Sequence, residues 1–582
     1  MNSLDPIRLA VIEKQIDHIC QQMGWIMTRT ARSPIFSQSH DFTCFLASAE
    51  GEVIAQADGL PIHSGGGGYA IRALLKVYKD DIHDGDVFIL SDPYVAGGNH
   101  LPDWTIIRPI ILDGRLCAFA VNRAHQSDIG GGAAGTYNCE AREIFHEGIR
   151  LPPMRLIDRG QMRSDLFSLL MLNSRTPELT EGDVGAMIGS TKIGADRIKA
   201  ILRDVGVDEG LAYFSGLLDH AEAMMRSAIT ALPEGCWVGI DGSNTDCFKE
   251  VDVPIKVTVT KVEDTLTFDF TGSSDQIAGF KNSSIANTFS SVFVAVATFF
   301  DSTIPHNEGA LRPIKIVAPL GSVVNPRPPA PVTMCTTYPA HDIMHACWKA
   351  LSQAMPERGC AGWSKQCYGN SSGQGADGRL FVLYHWHGSA GGGAVKGRDG
   401  FATIGNAPTL GGLTIPNVEG YEQAYPIRIL KQEFRCDASG PGEFRGGAGV
   451  EYVCEMLVPT EHAVRAEGMG GPNGYGICGG LDGTIGTLSV LVEGEALSLP
   501  RFGIEHHPPC RIEVSSGGGG GWGDPLRRDP AAVRDDVQDG IVSAASALSA
   551  YGVVLTSSQE LDVIATAETR RKRLAEPSSA YA

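Results

Sequence analysis

The sequence predicts a mixed α+β fold built from several regions, and three observations support this prediction. The chain has 582 residues, which is more than one domain usually contains. Segments with the period of amphipathic helices and segments with the alternation of strands occur in the same chain. Glycine accounts for 71 residues without a Gly-X-Y repeat, which indicates tight turns and close backbone approaches rather than collagen or disorder.

The first region, residues 1–160, is predicted to be α/β. Asp5 followed by Pro6 is typical of a helix start, and we expect this helix to run to about Thr30. Two strands are expected between residues 41 and 56, around an Ala-Glu-Gly turn. A buried strand in "DVFILSDPY" and a hairpin in "TIIRPIILDGRLCAFAVNRA", turning at Asp113-Gly114, follow in the same region.

Four further regions follow from the pattern of the remaining sequence. Residues 161–235 are helical, and residues 236–330 are β-rich with a helix, "NTFSSVFVAVATFF", packed nearby. The Pro-rich stretch "NPRPPAPV" marks a candidate boundary before a Gly-rich α+β region at 331–525. A helical tail is expected at 526–582.

Charge and composition exclude several classes of protein. The net charge of −19 argues against nucleic acid and anionic membranes as partners, because both would repel the chain. No uninterrupted apolar run reaches about 18 residues, so we expect no membrane span. The fourteen cysteines include no CxxC pair, which favours reduced thiols in a cytoplasmic protein over a disulfide framework or zinc ribbon.

Nucleotide binding has no motif of its own in this chain. No G-x-x-x-x-G-K-[ST] sequence occurs, so ATP would have to bind to another kind of site or to another polypeptide. The run "SSGGGGGWGDP" offers backbone amides that are able to cradle an anion, but no Lys-Ser/Thr pair follows it.

Two Gly-rich stretches, "GGNHLPDW" and "VNRAHQSDIGGG", carry a candidate metal site. His100, Asp103 and His125 form a set of two imidazoles and one carboxylate, which is a common ligand set for divalent ions. They lie near the ends of two strands expected to be neighbours, and flanking glycines let the backbone approach an ion closely. The alternative is that these side chains only satisfy turn amides.

Other polar residues are candidates for supporting roles. Asp41 and Asp128 suit either a fourth ligand position or an outer contact that orients an imidazole. His63, before "SGGGGYA", either lines a site or belongs to a Gly-rich turn into a helix. Glu143 and Glu147, at i,i+4 spacing, either reach the site or only pack against other residues.

Two more features favour structural roles. His341 and His345 have helical i,i+4 spacing but lack the Glu of HExxH, so a structural role is favoured for both. Asp92, before Pro93, is expected to cap a turn.

Several longer motifs together resemble the hydantoinase B/oxoprolinase family along nearly the whole chain. They include "HDFTCFLASAEGEVIAQADGLPIH", "LSDPYVAGGNHLPDWTII", "VNRAHQSDIGG", "EIFHEGIRLPP" and "GGGGGWGDPLRRDPAAVRDDVQDGIVS", and their order matches as well. In the metal-containing relatives the ligands resemble a His-x-x-Asp pair followed by a second His, which corresponds here to His100, Asp103 and His125. Asp41 matches an acidic position that resembles an additional ligand.

The resemblance implies a division of labour between two subunits. A hydantoinase A-type partner with an actin-like ATPase fold is expected to bind ATP and phosphorylate the oxygen of a cyclic amide such as a hydantoin, 5-oxoproline or a lactam. This chain is then expected to use one divalent ion (zinc, manganese, iron or cobalt) to activate the water that opens the ring. A heterotetramer with two copies of each chain is implied. The alternatives are a subunit of an acetone or acetophenone carboxylase, and a scaffold without catalysis.

Overall fold

The structure, a computed structural model, describes residues 4–56, 59–471 and 473–575. Within these ranges, helices combine with four β-sheets. The predicted mixed α+β class is therefore confirmed. Residues 1–3 of the first predicted region and residues 576–582 of the predicted tail lie outside the described ranges, and the division into five regions stays a prediction.

The first sheet contains the strand pair and the hairpin that the sequence predicts. Its strands are β1 (Phe42–Ser48), β2 (Val53–Gln56), β3 (Val87–Leu90), β4 (Asp103–Leu112), β5 (Arg115–His125), β6 (Met154–Asp158) and β7 (Gln161–Met162). Neighbouring strands are antiparallel, in the order β2-β1-β5-β4-β3-β6-β7.

Helices cover both faces of this sheet. They are α1 (Pro6–Thr30), α2 (Pro34–Ser37), α3 (Pro61–Ser64), α4 (Gly67–Tyr78), α5 (Ser164–Leu172), α6 (Pro177–Val205) and α7 (Val207–Thr230). Because strand side chains alternate, Leu46 of β1 enters a core with Met23 of α1 and Met187 of α6. The adjacent Phe45 enters a second core with Leu74 of α4.

A β-bulge sets the register of the β4–β5 hairpin. The shift lies between Ile110 and Ile111, and beyond it Asp103 pairs with His125. Without the bulge, Asp103 would lie opposite Ala124. Because a shift of one residue reverses the face that a side chain occupies, this bulge brings the two candidate ligands opposite each other on one face.

The second sheet packs against two long helices. Its elements are β8 (Gly235–Thr245), β9 (Glu250–Val262), β10 (Thr265–Asp269) and β11 (Ile314–Val317), with α8 (Ile285–Phe299) and α9 (Tyr338–Ala354). The order is β11-β10-β9-β8, in which only the β10–β11 pair is parallel. The predicted strand pair and the following helix are present, and their apolar residues share one core with α9.

Two further antiparallel sheets form the Gly-rich part of the chain. Their elements are β12 (Asn370–Gln374), β13 (Leu380–Tyr384), α10 (Val418–Ala424), β14 (Ile427–Phe434), β15 (Val450–Met456), β16 (Thr460–Arg465), β17 (Thr487–Val492), β18 (Glu495–Ala496), β19 (Phe502–His507) and β20 (Cys510–Ser515). The orders are β13-β12-β16-β19 and β14-β15-β20-β17-β18. Residues of these sheets share the large core of the first sheet, so the ends of β13 and β16 can contribute to a site there.

The polyglycine segment at 517–521 is part of the packed interior. A Cβ atom on Gly520 would lie 1.9 Å from the carbonyl oxygen of Tyr475. The Gly520 amide donates to the Gly362 oxygen at 2.8 Å, and the Gly521 amide donates to the Leu481 oxygen at 2.9 Å. The Gly519 amide likewise donates to the Gly447 oxygen, at 3.0 Å. The suggestion that this run cradles an anion is therefore wrong for these three glycines, because their amides already bind backbone oxygens.

The chain after this segment forms three short helices. The helices are α11 (Pro530–Gln538), α12 (Ala544–Ser549) and α13 (Val563–Ala575).

All fourteen cysteines carry free thiols. In the part of the chain that the structure describes, no helix has the length and apolarity needed to cross a bilayer.

Candidate metal site

The hairpin and the loop before it bring together three of the predicted site residues. Asp103 is the first residue of β4, and His125 is the last residue of β5. His100 lies three residues before the strand, so the loop that enters β4 turns its imidazole onto the Asp103 carboxylate. All three residues are at most 2% exposed.

The facing atoms of these residues form a tight cluster. His100 Nε2 lies 2.7 Å from Asp103 Oδ1, and His125 Nδ1 lies 3.2 Å from the same oxygen. One ligand atom from each residue lies within 4.8 Å of the other two. Burial opposes ionisation of Asp103, but the neighbouring His100 and His63 hold its pKa well below its usual range.

Unsatisfied polar atoms show that this cluster suits a cation. His100 Nε2 and Asp103 Oδ2 are buried and make no hydrogen bond of acceptable geometry, although the imidazole and carboxylate touch. Buried polar atoms are costly when they lack a partner. Asp103 Oδ1 has a hydrogen-bond contact with His125 Nδ1 at 3.2 Å, but the other two atoms remain unsatisfied. Imidazole nitrogen with carboxylate oxygen is a suitable donor set for a divalent ion.

Outer contacts orient both imidazoles toward the cluster. The Nδ1 atom of His100 lies 2.5 Å from the Thr333 carbonyl oxygen and donates to it, so Nε2 is the atom that faces the cluster. Although burial favours the neutral imidazole, the adjacent Asp103 carboxylate raises the pKa of His100. The Nε2 atom of His125 lies 3.2 Å from the Tyr384 hydroxyl and 3.3 Å from Thr136 Oγ1. Metal-binding histidines usually have such a contact on the second nitrogen.

Glu147 supports His100 from one step further away. Its carboxylate accepts hydrogen bonds from the backbone amides of Val332 and Thr333, at 3.1 and 2.7 Å. Burial raises the pKa of Glu147 to about 7, although these two amides favour the ionised form. The predicted approach of Glu147 to the site is thus indirect, and Glu143 is exposed.

His63 contacts the second oxygen of the Asp103 carboxylate, and Asp41 lies beside His63 but is not a member of the three-residue cluster. His63 Nε2 lies 3.3 Å from Asp103 Oδ2 and 3.7 Å from Asp41 Oδ1. The Asp41 carbonyl oxygen also accepts a hydrogen bond from the His125 amide at 3.1 Å. Burial raises the pKa of Asp41 to about 6 and lowers the pKa of His63 to about 4, so His63 is neutral near pH 7.

The glycines after His63 explain how this residue reaches the site. A Cβ atom on Gly66 would lie 2.6 Å from the Ala286 oxygen, and one on Gly65 would lie 2.9 Å from Ser290 Cα. The glycines therefore let α3 and α4 approach α8 closely. Both sequence interpretations of this stretch hold, because the Gly-rich turn into a helix also brings His63 to Asp103.

Asp128 does not join the cluster. Its carboxylate lies 3.1 Å from Arg175 Nη1 and accepts hydrogen bonds from the amides of Gly130 and Gly135, each at 3.1 Å. The hypothesis that Asp128 is a fourth ligand or orients an imidazole is therefore wrong. Its oxygens are instead used to hold the loop after β5.

The remaining candidates have the structural roles that the sequence favours. His341 Nε2 contacts the Trp363 carbonyl oxygen at 3.1 Å, and His345 Nε2 accepts a hydrogen bond from the Trp363 amide at 3.1 Å. Asp92 caps a turn, because its carboxylate accepts hydrogen bonds from the amides of Tyr94 and Val95 at 2.8 and 2.9 Å.

Sequence reasoning missed Tyr384 and Thr333 as partners of the site. Both belong to segments more than 200 residues away in the chain from the histidines they contact. A carbonyl oxygen has no sequence signal, and Tyr384 lies in an ordinary apolar strand. Tyr384 reaches the site through the packing of the third sheet against the first, and Thr333 through the segment that precedes α9.

Comparison with known proteins identifies relatives of the whole chain. The profile of the hydantoinase B/oxoprolinase family matches residues 5–525. The caprolactamase subunit beta of Pseudomonas jessenii is 32% identical over 585 residues, covering 97% of this chain and 99% of that protein. The 5-oxoprolinase PfmaA of Pestalotiopsis fici is 27% identical over 92% of this chain, which spans only 43% of that relative.

Two solved structures share the fold. The crystal structure of the ATP-dependent caprolactamase from Pseudomonas jessenii matches with a TM-score of 0.91 and 31% identity, covering 98% of this chain and 100% of that chain. A nucleotide-free acetone carboxylase matches with a TM-score of 0.87 and 20% identity, covering 98% and 84% of the two chains. The second likeness is one of fold alone.

Proposed function

Because this chain belongs to the hydantoinase B/oxoprolinase family, we propose that it is the ring-opening subunit of an ATP-dependent cyclic amide hydrolase. Its substrate would be a hydantoin, 5-oxoproline or lactam ring. The observation that carries the proposal is the convergence of His100, Asp103 and His125, with ligand atoms within 4.8 Å of one another. This cluster lies in a chain that is similar to a caprolactamase subunit over nearly its full length.

The reaction needs activation because an amide carbon in an unstrained ring is a poor electrophile. Attack on it must sacrifice amide resonance, whereas phosphorylation of the oxygen gives an imidate-like carbon that accepts water more readily. Water then adds to this carbon, the ring carbon–nitrogen bond breaks, and the nitrogen takes up the proton of the added water. This leaves an acyl phosphate, and a second water cleaves it to the carboxylate and inorganic phosphate. The ATP-dependent step comes first, and the step assigned to this chain follows it.

The residues of this chain hold and orient the reacting groups. His100, Asp103 and His125 would hold one divalent ion, with Asp41 as an additional ligand. When bound there, the ion would supply Lewis acidity and a water whose pKa is lowered toward 7. Thr333 and Tyr384 keep the imidazoles in the orientation that faces the cluster, and the buried surroundings exclude bulk water.

A partner chain of the hydantoinase A type would supply ATP binding. The relative from Pseudomonas jessenii is named as a beta subunit, which supports a two-subunit enzyme. The 5-oxoprolinase from Pestalotiopsis fici is more than twice as long as the part that this chain matches, which suits a fused partner in that protein. A heterotetramer and a cytoplasmic location belong to the same proposal.

Reconstitution with the partner tests the assignment. We expect the isolated chain to be inactive, and the mixture to open the ring with consumption of ATP. His100→Ala or His125→Ala should lower this coupled rate at least 100-fold. His387→Ala is the matched control, because His387 is equally buried and also contacts one carbonyl oxygen, that of Pro416. Unchanged coupled activity in both site variants would refute the proposal.

A carboxylase subunit is the second candidate, and its support is the shared fold of acetone carboxylase. The same reconstituted complex distinguishes the two reactions. Turnover of a ketone that depends on bicarbonate, without opening of any lactam, would favour the carboxylase. Ring opening without bicarbonate favours the hydrolase.

A further inference from the structure

Arg465, the last residue of β16, is a buried cation with no carboxylate in direct contact within the described ranges, although the buried Asp41 carboxylate is near enough to interact with it electrostatically. It is 3% exposed, and its Nε atom makes no hydrogen bond. Its Nη1 atom donates only to the thioether sulfur of Met334, at 3.6 Å, which is a weak acceptor. Within the described ranges, no carboxylate oxygen lies within 4.0 Å of its guanidinium, and nearby Glu467 is instead engaged at 2.7 Å by Lys281.

Two other buried arginines show how such a charge is normally accommodated. Arg123 donates to four oxygens, including the His63 carbonyl and Asn99 Oδ1, each at 3.0 Å. Arg528 forms ion pairs with Asp399 and Asp536, at 2.7 and 2.8 Å. Since guanidinium stays protonated in proteins, Arg465 retains a buried charge whose cost neither arrangement offsets.

The position of Arg465 connects this charge to the candidate metal site. Its guanidinium carbon lies 3.8 Å from the centre of the Tyr137 ring and 5.9 Å from that of Tyr384. The Tyr137 ring in turn stacks on His125 at 5.6 Å, with an angle of 16° between the planes. Met334 follows Thr333, whose carbonyl oxygen contacts His100. Arg465 therefore belongs to the wall of the same site.

We propose that Arg465 is the anion-recognition residue of this site and binds an oxyanion carried by the substrate. A planar guanidinium with free donors matches the paired oxygens of a carboxylate or phosphoryl group. The Tyr137 ring covers one face of the guanidinium and so fixes its plane, and the Nε–H group at its edge has no acceptor. The inference rests on the proposed function, because the two sources of such an anion are a phosphorylated ring oxygen and a carboxylate on the ring.

Thermal unfolding of the full chain tests this proposal without any turnover. We compare the unfolding temperatures of wild type, Arg465→Met and Arg465→Lys. Each is measured in the presence of one equivalent of zinc and again in the presence of a chelator. Without added anion, Arg465→Met should unfold at the same or a higher temperature than wild type, because it removes an unpaired buried charge. The control Arg528→Met should unfold at a lower temperature, because it removes the ion pairs with Asp399 and Asp536 and leaves both carboxylates only Arg445 as a cationic partner.

The anion is then identified with three probes: inorganic phosphate, 5-oxoproline and its uncharged analogue 2-pyrrolidinone. Protection of wild type by phosphate indicates a phosphoryl group, and protection by 5-oxoproline beyond that by 2-pyrrolidinone indicates a carboxylate. Either result supports the proposal if the apparent Kd rises at least tenfold in Arg465→Met, with a smaller rise in Arg465→Lys.

Two outcomes would overturn the inference. In one, neither anion protects wild type; in the other, the anion protects wild type and Arg465→Met equally. Both outcomes can be told apart from failure of the proposed function, which is decided by the coupled activity of the His100 and His125 variants. If those variants lose activity while Arg465→Met keeps its anion affinity, the enzyme assignment stands and only the role of Arg465 is rejected.

Discussion

Asp103 is the residue on which the candidate site depends, because three imidazoles approach its carboxylate. His100, His125 and His63 have a nitrogen 2.7, 3.2 and 3.3 Å from its oxygens. A buried carboxylate needs compensation of this kind. Asp103 Oδ2 and His100 Nε2 still lack a hydrogen bond, however. These unsatisfied buried atoms favour a cation at the cluster.

The Tyr384 hydroxyl is expected to orient the His125 imidazole and not to bind the ion itself. Its hydroxyl is 3.2 Å from Nε2 of His125, so Tyr384→Phe should remove this contact while leaving the volume of residue 384 almost unchanged. Nε2 would then keep only the Thr136 hydroxyl, at 3.3 Å. We expect the affinity for zinc to fall roughly 10- to 100-fold, as for other outer contacts of metal-binding histidines. Competition with a chromogenic chelator measures this affinity.

Tyr452→Phe is the matched control for that experiment. Tyr452 is also fully buried and its hydroxyl contacts another histidine, His385, at 3.1 Å, but that histidine lies outside the cluster. Zinc affinity should therefore equal that of wild type. A Tyr384→Phe protein with unchanged affinity would show that the hydroxyl does not orient His125.

The candidate ligands were accessible from sequence, whereas their supporting contacts were not. His100, Asp103 and His125 could be selected because their residue types suit a metal and because strands of a hairpin bring distant residues together. Tyr384 and Arg465 lie at the ends of strands from another sheet. Their proximity to His125 depends on tertiary packing, which no local pattern encodes.

At the scale of elements, three local features determine how the chain packs. They are the bulge in the β4–β5 hairpin, the glycines after His63 and the glycines at 517–521. The hairpin and its turn follow from the sequence, but the register shift between Ile110 and Ile111 has no clear sequence signal. In the sequence, the glycines at 517–521 suggest an anion cradle, because the amides of an isolated Gly-rich loop would be free to bind one. In the fold, neighbouring backbone segments approach so closely that these amides are used internally.

Gly520→Ala tests this account of the polyglycine segment. The added methyl group would lie 1.9 Å from the Tyr475 carbonyl oxygen, so we expect the free energy of unfolding to fall by at least about 3 kcal/mol. Gly185→Ala is the control, because nothing lies within 4 Å of the added atom on α6. It should stabilise the chain by about 0.5–1 kcal/mol. Denaturant unfolding measures the free energy of unfolding of both variants, and equal values for the two would contradict the packing argument.

At the scale of the whole molecule, the mixed α+β class and most long elements followed from periodicity. The association of the sheets did not, since residues from the first, third and fourth sheets share one core. That association explains how a site begun by the N-terminal hairpin is completed by Tyr384 and Arg465.

The most direct test of a single metal site is anomalous diffraction from crystals of the chain grown with zinc. We expect one strong anomalous peak per chain, bounded by His100 Nε2, His125 Nδ1 and the Asp103 carboxylate, and no such peak in His100→Ala crystals. A wild-type crystal without a peak at this cluster, or with its zinc bound elsewhere, would contradict the account.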